Sequence, residues 1–209
     1  MPGIALDHIV LGAVSLDAGA AYLAERFGVE PDSGGQHRGV GTWNRLLQLG
    51  GGTYLELIAP DPTQPDPPRQ RPFGLDDPAV RAAIAVRPRL LHYLVRTDDI
   101  GGARHALGFD PGEAIAMSRG DLSWKVTIGR EGRPSVGGAL PGLIDWCAST
   151  PPGRTLPARG VLLQTWHIGA DPHTLALLAP LALADRRVRL YPAAPPRLAA
   201  ELSTPRGWA

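Results

Sequence analysis

The amino-acid sequence predicts an α/β (α+β) fold built from repeated βαβββ modules. Three observations support this fold: a short apolar segment followed by an amphipathic one at the start of the chain, three further strand-like segments before residue 60, and the return of the pattern near residue 90. A repeated supersecondary unit outweighs local propensities, because each unit buries its apolar face against its neighbour. We expect a single domain over 1–209, a length that suffices for one sizeable core.

The first module is expected at 4–59. Residues 4–13 are apolar and rich in β-branched side chains, which is typical of a strand. Ser15 can cap a following helix whose apolar residues recur at helical spacing until Gly28 ends it. Three shorter strand candidates complete the unit, at 35–39, 43–49 and 53–59.

The second module is expected at 90–147, because the opening pattern returns there without a gap. Residues 6–23 align with 90–107, so that His8 falls on His92 at an offset of 92 − 8 = 84 residues. Strand candidates follow at 113–118, 122–129 and 140–147, as they do after the first helix.

Two segments lie outside these modules. Residues 60–89 begin with a stretch dense in Pro and Asp and are expected to form a linker over the surface, with a short helix at 79–86. Residues 161–205 are expected to form a partial third βαββ copy that extends or completes the sheet system. Gln164 matches His8 in that copy, so the third copy lacks this histidine.

Composition excludes several classes of partner. The chain has 21 Lys and Arg against 20 Asp and Glu, and this balance does not favour nucleic acid. No apolar run approaches the ~20 residues that span a bilayer, so no membrane partner is expected. Cys147 is the single cysteine, which rules out an internal disulfide and suits a reducing, cytoplasmic location.

A candidate site follows from the alternation of side chains along strands. Leu55 and Leu57 share one face of their strand and Glu56 takes the other. If the helix covers the leucines, Glu56 points to the concave face together with His8. A buried carboxylate needs a partner, which His8 or a metal ion would supply.

The second module repeats this arrangement with His92 on its first strand and Asp145 on its last. The separations are similar, 56 − 8 = 48 and 145 − 92 = 53 residues. Two histidines and two carboxylates would form a mixed nitrogen and oxygen site, which suits a divalent Zn, Fe, Mn, Ni or Co ion.

The chain resembles the glyoxalase-like domain family of the vicinal oxygen chelate superfamily. The segments that carry the resemblance are LDHIVLGAVSLDAGAAYLAERFGV, QHRGVGTWN, GGTYLELIAPDP, MSRGDLSWKV and LPGLIDW. The resemblance implies paired modules that form a cup-shaped sheet around a divalent metal, with ligands from the first and last strand of each module. It implicates His8, Glu56 and His92, whereas Asp145 departs from the usual Glu or Gln.

Four further residues are candidate substrate contacts. His37 and Asn44 can hydrogen-bond a ligand, Arg119 can contact an anion, and Trp124 can provide an aromatic wall. The plainer alternatives stay open: His37 and Asn44 tie down a glycine-rich turn, Arg119 faces solvent, Trp124 belongs to the core, and Asp145 is a capped or paired carboxylate near the surface.

Two functions fit this pattern. The first is a metal-dependent isomerase, lyase or dioxygenase that acts on a small oxygenated molecule, with the metal as Lewis acid and Glu56 as ligand or general base. The second is a metal-free protein that binds or sequesters a small molecule in the same cup. In both, the partner is a small-molecule ligand, and a homodimer stays open.

Overall fold

The first module folds as predicted. The computed structural model describes residues 4–209, and for 180–184 the description covers the backbone alone. Helix α1 begins after Ser15, whose hydroxyl accepts the Ala18 N–H, and ends at Gly28 in the left-handed conformation. The elements of the module are β1 (Ala5–Gly12), α1 (Leu16–Phe27), β2 (Asp32–His37), β3 (Thr42–Gln48) and β4 (Tyr54–Pro60).

The second module repeats the same order. Its helix begins after Asp99, whose carboxylate accepts the Gly102 N–H. Its elements are β5 (Arg89–Arg96), α3 (Ile100–Ala106), β6 (Glu113–Arg119), β7 (Leu122–Ile128) and β8 (Gly142–Asp145), and helix α2 (Pro78–Val86) precedes them. The two modules join into one eight-stranded sheet of order β2-β3-β4-β1-β5-β8-β7-β6, which confirms the predicted fold.

The antiparallel pair β1 and β5 relates the two modules by an approximate two-fold axis. Val10 of β1 pairs with His92 of β5, and His8 of β1 pairs with Leu94 of β5. Because Leu94 is equivalent to Val10 and His92 is equivalent to His8, the two pairs are related by the two-fold axis. Asp7 and Leu91 are each skipped in the pairing, so the two strands carry matching β-bulges. His8 and His92 therefore occupy equivalent places, as the alignment predicts.

The Pro-rich segment does more than run over the surface. Pro72 is buried and Phe73 has a φ of 62°, a conformation that costs a residue with a side chain about 1–3 kcal/mol. Arg71 holds this turn in place by donating to the Gly41 carbonyl and to Asp76. The segment thereby forms a wall on the inner side of the sheet.

The C-terminal segment forms a sheet of its own and does not extend the first one. It contains α4 (Pro152–Thr155), β9 (Leu162–Ala170), α5 (Pro172–Ala184), β10 (Val188–Pro192), β11 (Arg197–Thr204) and β12 (Gly207–Trp208). The predicted strand–helix–strand–strand order is present, but the strand order is β10-β9-β11-β12. Here the strand after the helix, β10, pairs directly with the first strand, β9. In the two modules the corresponding strands pair with the next strand along the chain instead, β2 with β3 and β6 with β7.

Two apolar clusters lie on opposite faces of the eight-stranded sheet. The outer cluster joins the sheet to α1 and to the C-terminal sheet, where the fully buried Trp166 packs edge-on against Tyr93 with ring centroids 5.5 Å apart. The inner cluster includes Val10, Leu94 and Trp124 and lies beneath the concave face. Helices of the described residues are all too short or too polar to cross a membrane.

Candidate active site

The concave face of the sheet encloses a cavity between the two modules. Its open space is about 570 Å³, counted out to the mouth. Six of the eight residues predicted for the site line this cavity: His8, His37, Asn44, Glu56, Arg119 and Trp124. His92 and Asp145 are not among the lining residues.

Glu56 points into the cavity because its neighbours point away from it. Leu55 and Leu57 belong to the outer cluster, and a Cβ on Gly19 of α1 would overlap Leu57. The Glu56 carboxylate accepts a hydrogen bond of 2.6 Å from Asn44 Nδ2 and lies 3.6 Å from His8 Nε2. Burial by itself raises the pKa of Glu56, but the charge and hydrogen bond of His8 outweigh burial and lower this pKa to about 2.

His8 is held as a cation between two carboxylates. Its Nδ1 donates to Asp7 Oδ1 at 2.7 Å, and its ring stacks on Tyr54 with centroids 4.6 Å apart. Burial opposes the charge, but the hydrogen bonds to Asp7 and Glu56 raise the pKa of His8 to about 9. The imidazole is therefore protonated at neutral pH and presents an Nε2–H toward Glu56.

Asp7 was missed in the sequence, although it is fully buried beside the site. Its second oxygen accepts a 3.1 Å hydrogen bond from Trp146 Nε1 and lies 3.8 Å from Arg96. Simple alternation places Asp7 and His8 on opposite faces, but the bulge at Asp7 breaks the alternation and lets the two side chains meet. The repeat could have indicated Asp7, because Leu91 is its equivalent in the second module, so the first module carries an acid at a position where the second carries an apolar residue.

Asn44 links the acidic part of the site to Arg119. Its Oδ1 accepts from the Gly35 N–H and from Arg119 Nη1, both at 3.0 Å, so its Nδ2 must face Glu56 and His37. His37 Nε2 lies 3.2 Å from that amide and its Nδ1 lies 2.9 Å from Thr42 Oγ1. Burial lowers the pKa of His37 and outweighs the attraction of Glu56, so this histidine is neutral at neutral pH.

The structure does not bring the four predicted metal ligands together. The register shows that Gly142, and not Asp145, is the counterpart of Glu56, because Val10 pairs with Glu56 while its equivalent, Leu94, pairs with Gly142. Asp145 lies three residues further along and accepts the Cys147 N–H at 2.8 Å.

His92 forms no ion pair with any carboxylate of the described residues. Its ring packs against Phe73 at 5.7 Å, and its Nδ1 has no hydrogen-bond partner among the described residues. Across residues 4–209, no three His, Cys, Asp or Glu side chains gather in a way that could hold a metal ion. The residues present therefore do not fit the divalent ion that the resemblance implies, since the position equivalent to Glu56 in the second module carries a glycine.

The two halves of the cavity differ in polarity. The pairing of β7 with β8 places Val126 opposite Ile144, just as Asn44 lies opposite Ile58 in the first module. Val126 thus takes the place of Asn44, and Gly142 takes the place of Glu56. The second module contributes an apolar wall, made of Leu94, Met117, Trp124, Val126, Ile144 and Trp146.

Comparison with known proteins agrees with the fold. A family model described as a glyoxalase-like domain matches residues 6–181. The chain belongs to the glyoxalase-like domain family. No curated protein matches significantly.

Several solved structures are similar to this chain at low sequence identity. A hypothetical protein from Staphylococcus aureus is 16% identical with a TM-score of 0.54, over 83% of this chain and 73% of that one. Methylmalonyl-CoA epimerase from Mycobacterium tuberculosis is 17% identical with a TM-score of 0.43, over 69% of this chain and 90% of that one. A Streptomyces coelicolor methylmalonyl-CoA epimerase variant in complex with 2-nitronate-propionyl-CoA is 17% identical with a TM-score of 0.42, over 69% and 98% of the two chains.

Proposed function

We propose that this protein is an enzyme of the isomerase or lyase type that moves protons on a small oxygenated metabolite. The observation that supports this proposal is the pair formed by Glu56 and His8. An ionised carboxylate and a protonated imidazole lie 3.6 Å apart in the wall of the cavity, so one group can accept a proton and the other can donate one.

The proposed step is proton abstraction next to a carbonyl group. Glu56 takes the proton, the electrons of the C–H bond move into the carbonyl, and the Nε2–H of His8 donates a hydrogen bond to the oxygen that becomes negative. Return of a proton to either face gives isomerisation, and departure of a neighbouring group gives a lyase reaction.

Two neighbours keep this pair in position. Asn44 orients the carboxylate of Glu56, and Asp7 fixes the imidazole of His8 so that its Nε2–H faces the cavity. A ligand that enters between the two groups weakens their attraction and raises the pKa of Glu56, which makes this carboxylate a stronger base.

No step of this proposal uses a metal ion, because no third His, Cys, Asp or Glu side chain of the described residues joins His8 and Glu56 in a group that could hold one. Binding of Zn, Fe, Mn, Ni or Co stays a prediction with a direct test. Elemental analysis of protein purified without chelator, before and after incubation with each ion, would show whether one ion per chain is retained.

A metal-free binding protein is the second candidate, and the asymmetry of the cavity favours it. The second module supplies an apolar wall, and the polar groups of the first module already satisfy one another. A largely apolar pocket with a few polar groups is typical of ligand sites in general.

Deuterium exchange separates the two functions. The protein is incubated in heavy water with a panel of small 2-oxo acids and hydroxyketones, and loss of the α-proton is followed by proton NMR. The enzyme proposal expects exchange in at least one compound and a loss of about 100-fold or more in Glu56→Gln. Glu113→Gln, at an exposed surface carboxylate, is the matched control and should exchange like the wild type. Binding without any exchange would favour the sequestering protein.

A further inference from the structure

The seam between the two edge strands of the eight-stranded sheet is closed by one arginine. Strands β2 and β6 lie at opposite ends of the strand order, and Arg119, the last residue of β6, reaches across to β2. A Cβ on Gly35 would come within 2.7 Å of Arg119 Cδ, so the glycine makes room for this side chain. The guanidinium is thus held in a groove made of strand backbone and of Asn44.

The charge of Arg119 is not matched by the protein. Its one side-chain hydrogen bond runs to the neutral amide of Asn44, and it forms no ion pair with any carboxylate in residues 4–209 whose side chain is described. The remaining charges of the site balance: His8 faces Glu56, and Arg96 lies 3.8 Å from Asp7. The positive charge of Arg119 acts on groups inside the cavity, because it contributes to lowering the pKa of His37.

An apolar wall begins beside the guanidinium. The central carbon of the Arg119 guanidinium lies 6.0 Å from the ring centroid of Trp124. The ring centroids of Trp124 and Trp146 are in turn 5.6 Å apart. Both tryptophans are buried yet line the cavity, as do Leu94 and Ile144. A ligand in contact with Arg119 therefore meets an aromatic and aliphatic surface within a few ångströms.

We propose that Arg119 binds the carboxylate of the ligand, and that the ligand is a monocarboxylate with a compact apolar body packed against Trp124 and Trp146. A guanidinium with free N–H donors matches a carboxylate in geometry and charge. A single unmatched positive charge selects a monoanion, because a phosphate dianion would leave a negative charge next to Glu56. The substrate class rests on the proposed function, but the binding site does not depend on it.

The experiment compares three probes of similar shape. Phenylacetate, phenylacetamide and phenyl phosphate are titrated into the wild type and Arg119→Met by calorimetry, with the fluorescence of the cavity tryptophans as a second readout. We expect phenylacetate to bind about tenfold or more tightly than the amide, and Arg119→Met to reduce this preference to about twofold or less. Arg69→Met, at an exposed arginine that also faces β6 through Glu113, is the control and should keep the full preference.

Arg119→Lys is a second variant that keeps the test valid if Arg119→Met does not fold. Lysine keeps the positive charge but lacks the forked geometry of the guanidinium. We expect an intermediate preference for the carboxylate in this variant. Equal affinity for the acid and the amide in the wild type would overturn the proposal. Tighter binding of phenyl phosphate that depends on Arg119 would also overturn it and assign the site to phosphate esters.

The outcome is separable from that of the proposed function. Proton exchange on neutral hydroxyketones only, without a carboxylate preference, would reject the monocarboxylate and keep the Glu56 and His8 chemistry. An Arg119-dependent carboxylate preference without proton exchange would keep the binding site and reject the enzyme.

Discussion

His8 and His92 occupy equivalent positions in the two modules, yet their pKa values move in opposite directions. His8 follows Asp7 and faces Glu56, and its pKa rises to about 9. His92 follows Leu91, faces Gly142 and is buried without those carboxylates, so its pKa falls to about 4. Two substitutions in a repeated frame thus convert one histidine into a fixed cation and the other into a neutral core residue.

The two histidines and Glu56 predict a stability maximum near neutral pH. The raised pKa of His8 means that its contribution is complete below pH 6.5 and is lost as the pH rises through about 9. The lowered pKa of His92 reduces stability as the pH falls from 6.5 toward about 4, and the lowered pKa of Glu56 reduces it further from 4.5 toward about 2. Urea denaturation at a series of pH values measures the loss of stability on both the acidic and the alkaline side. A free energy of unfolding that stays constant between pH 7 and 10 would contradict the raised pKa of His8.

Asp7→Asn tests the buried ion pair between Asp7 and His8 directly. We expect the free energy of unfolding at pH 7 to fall by about 2–4 kcal/mol, because a buried cation loses its charged partner while Asn keeps an acceptor for Trp146. The pKa of His8 should fall at the same time, which NMR of the labelled imidazole reports. Asp17→Asn, at an exposed carboxylate of α1, is the matched control and should change neither quantity. An unchanged imidazole spectrum in Asp7→Asn would contradict the ion pair between Asp7 and His8.

His92→Leu distinguishes a core histidine from a metal ligand. The buried Nδ1 has no partner in the described part of the chain, so its removal should change stability at pH 7 by less than about 1 kcal/mol. The variant should also lose the part of the acid sensitivity that His92 causes and be more stable than the wild type near pH 5. Melting curves at pH 5 and pH 7 measure this difference. Loss of a bound ion in the variant, seen by elemental analysis, would support the metal ligand that the resemblance implies.

Gly35→Ala tests the groove beneath Arg119 without changing any charge. The new Cβ would lie 2.7 Å from Arg119 Cδ, so the arginine must shift away from Asn44. We expect a several-fold loss of phenylacetate affinity with a change in unfolding free energy of about 1 kcal/mol or less, because a long side chain adjusts easily. Gly101→Ala, in α3, meets no atom closer than 3.6 Å and serves as the control. It should keep the affinity and stabilise its helix slightly.

The sequence by itself determined the repeated modules and six of the residues that line the cavity. The period of 84 residues and the alternation around Glu56 are local or repeating properties, so they can be read without knowing which strands pair. The same alternation correctly placed His8 and Glu56 on the inner face. The C-terminal segment showed the limit of this reasoning, because its elements were recognised while its separate sheet was not.

Only the tertiary structure decided which of the predicted residues meet. The pairing register assigned Gly142 rather than Asp145 as the counterpart of Glu56, and a bulge brought Asp7 to His8 against the alternation rule. Contact between Arg119 and Asn44 joins residues 75 positions apart across the seam of the sheet. Register, bulges and sheet closure depend on long-range pairing, whereas spacing along the chain reports only local periodicity, and this is the physical reason that the modules were predictable while the pairing inside the site was not.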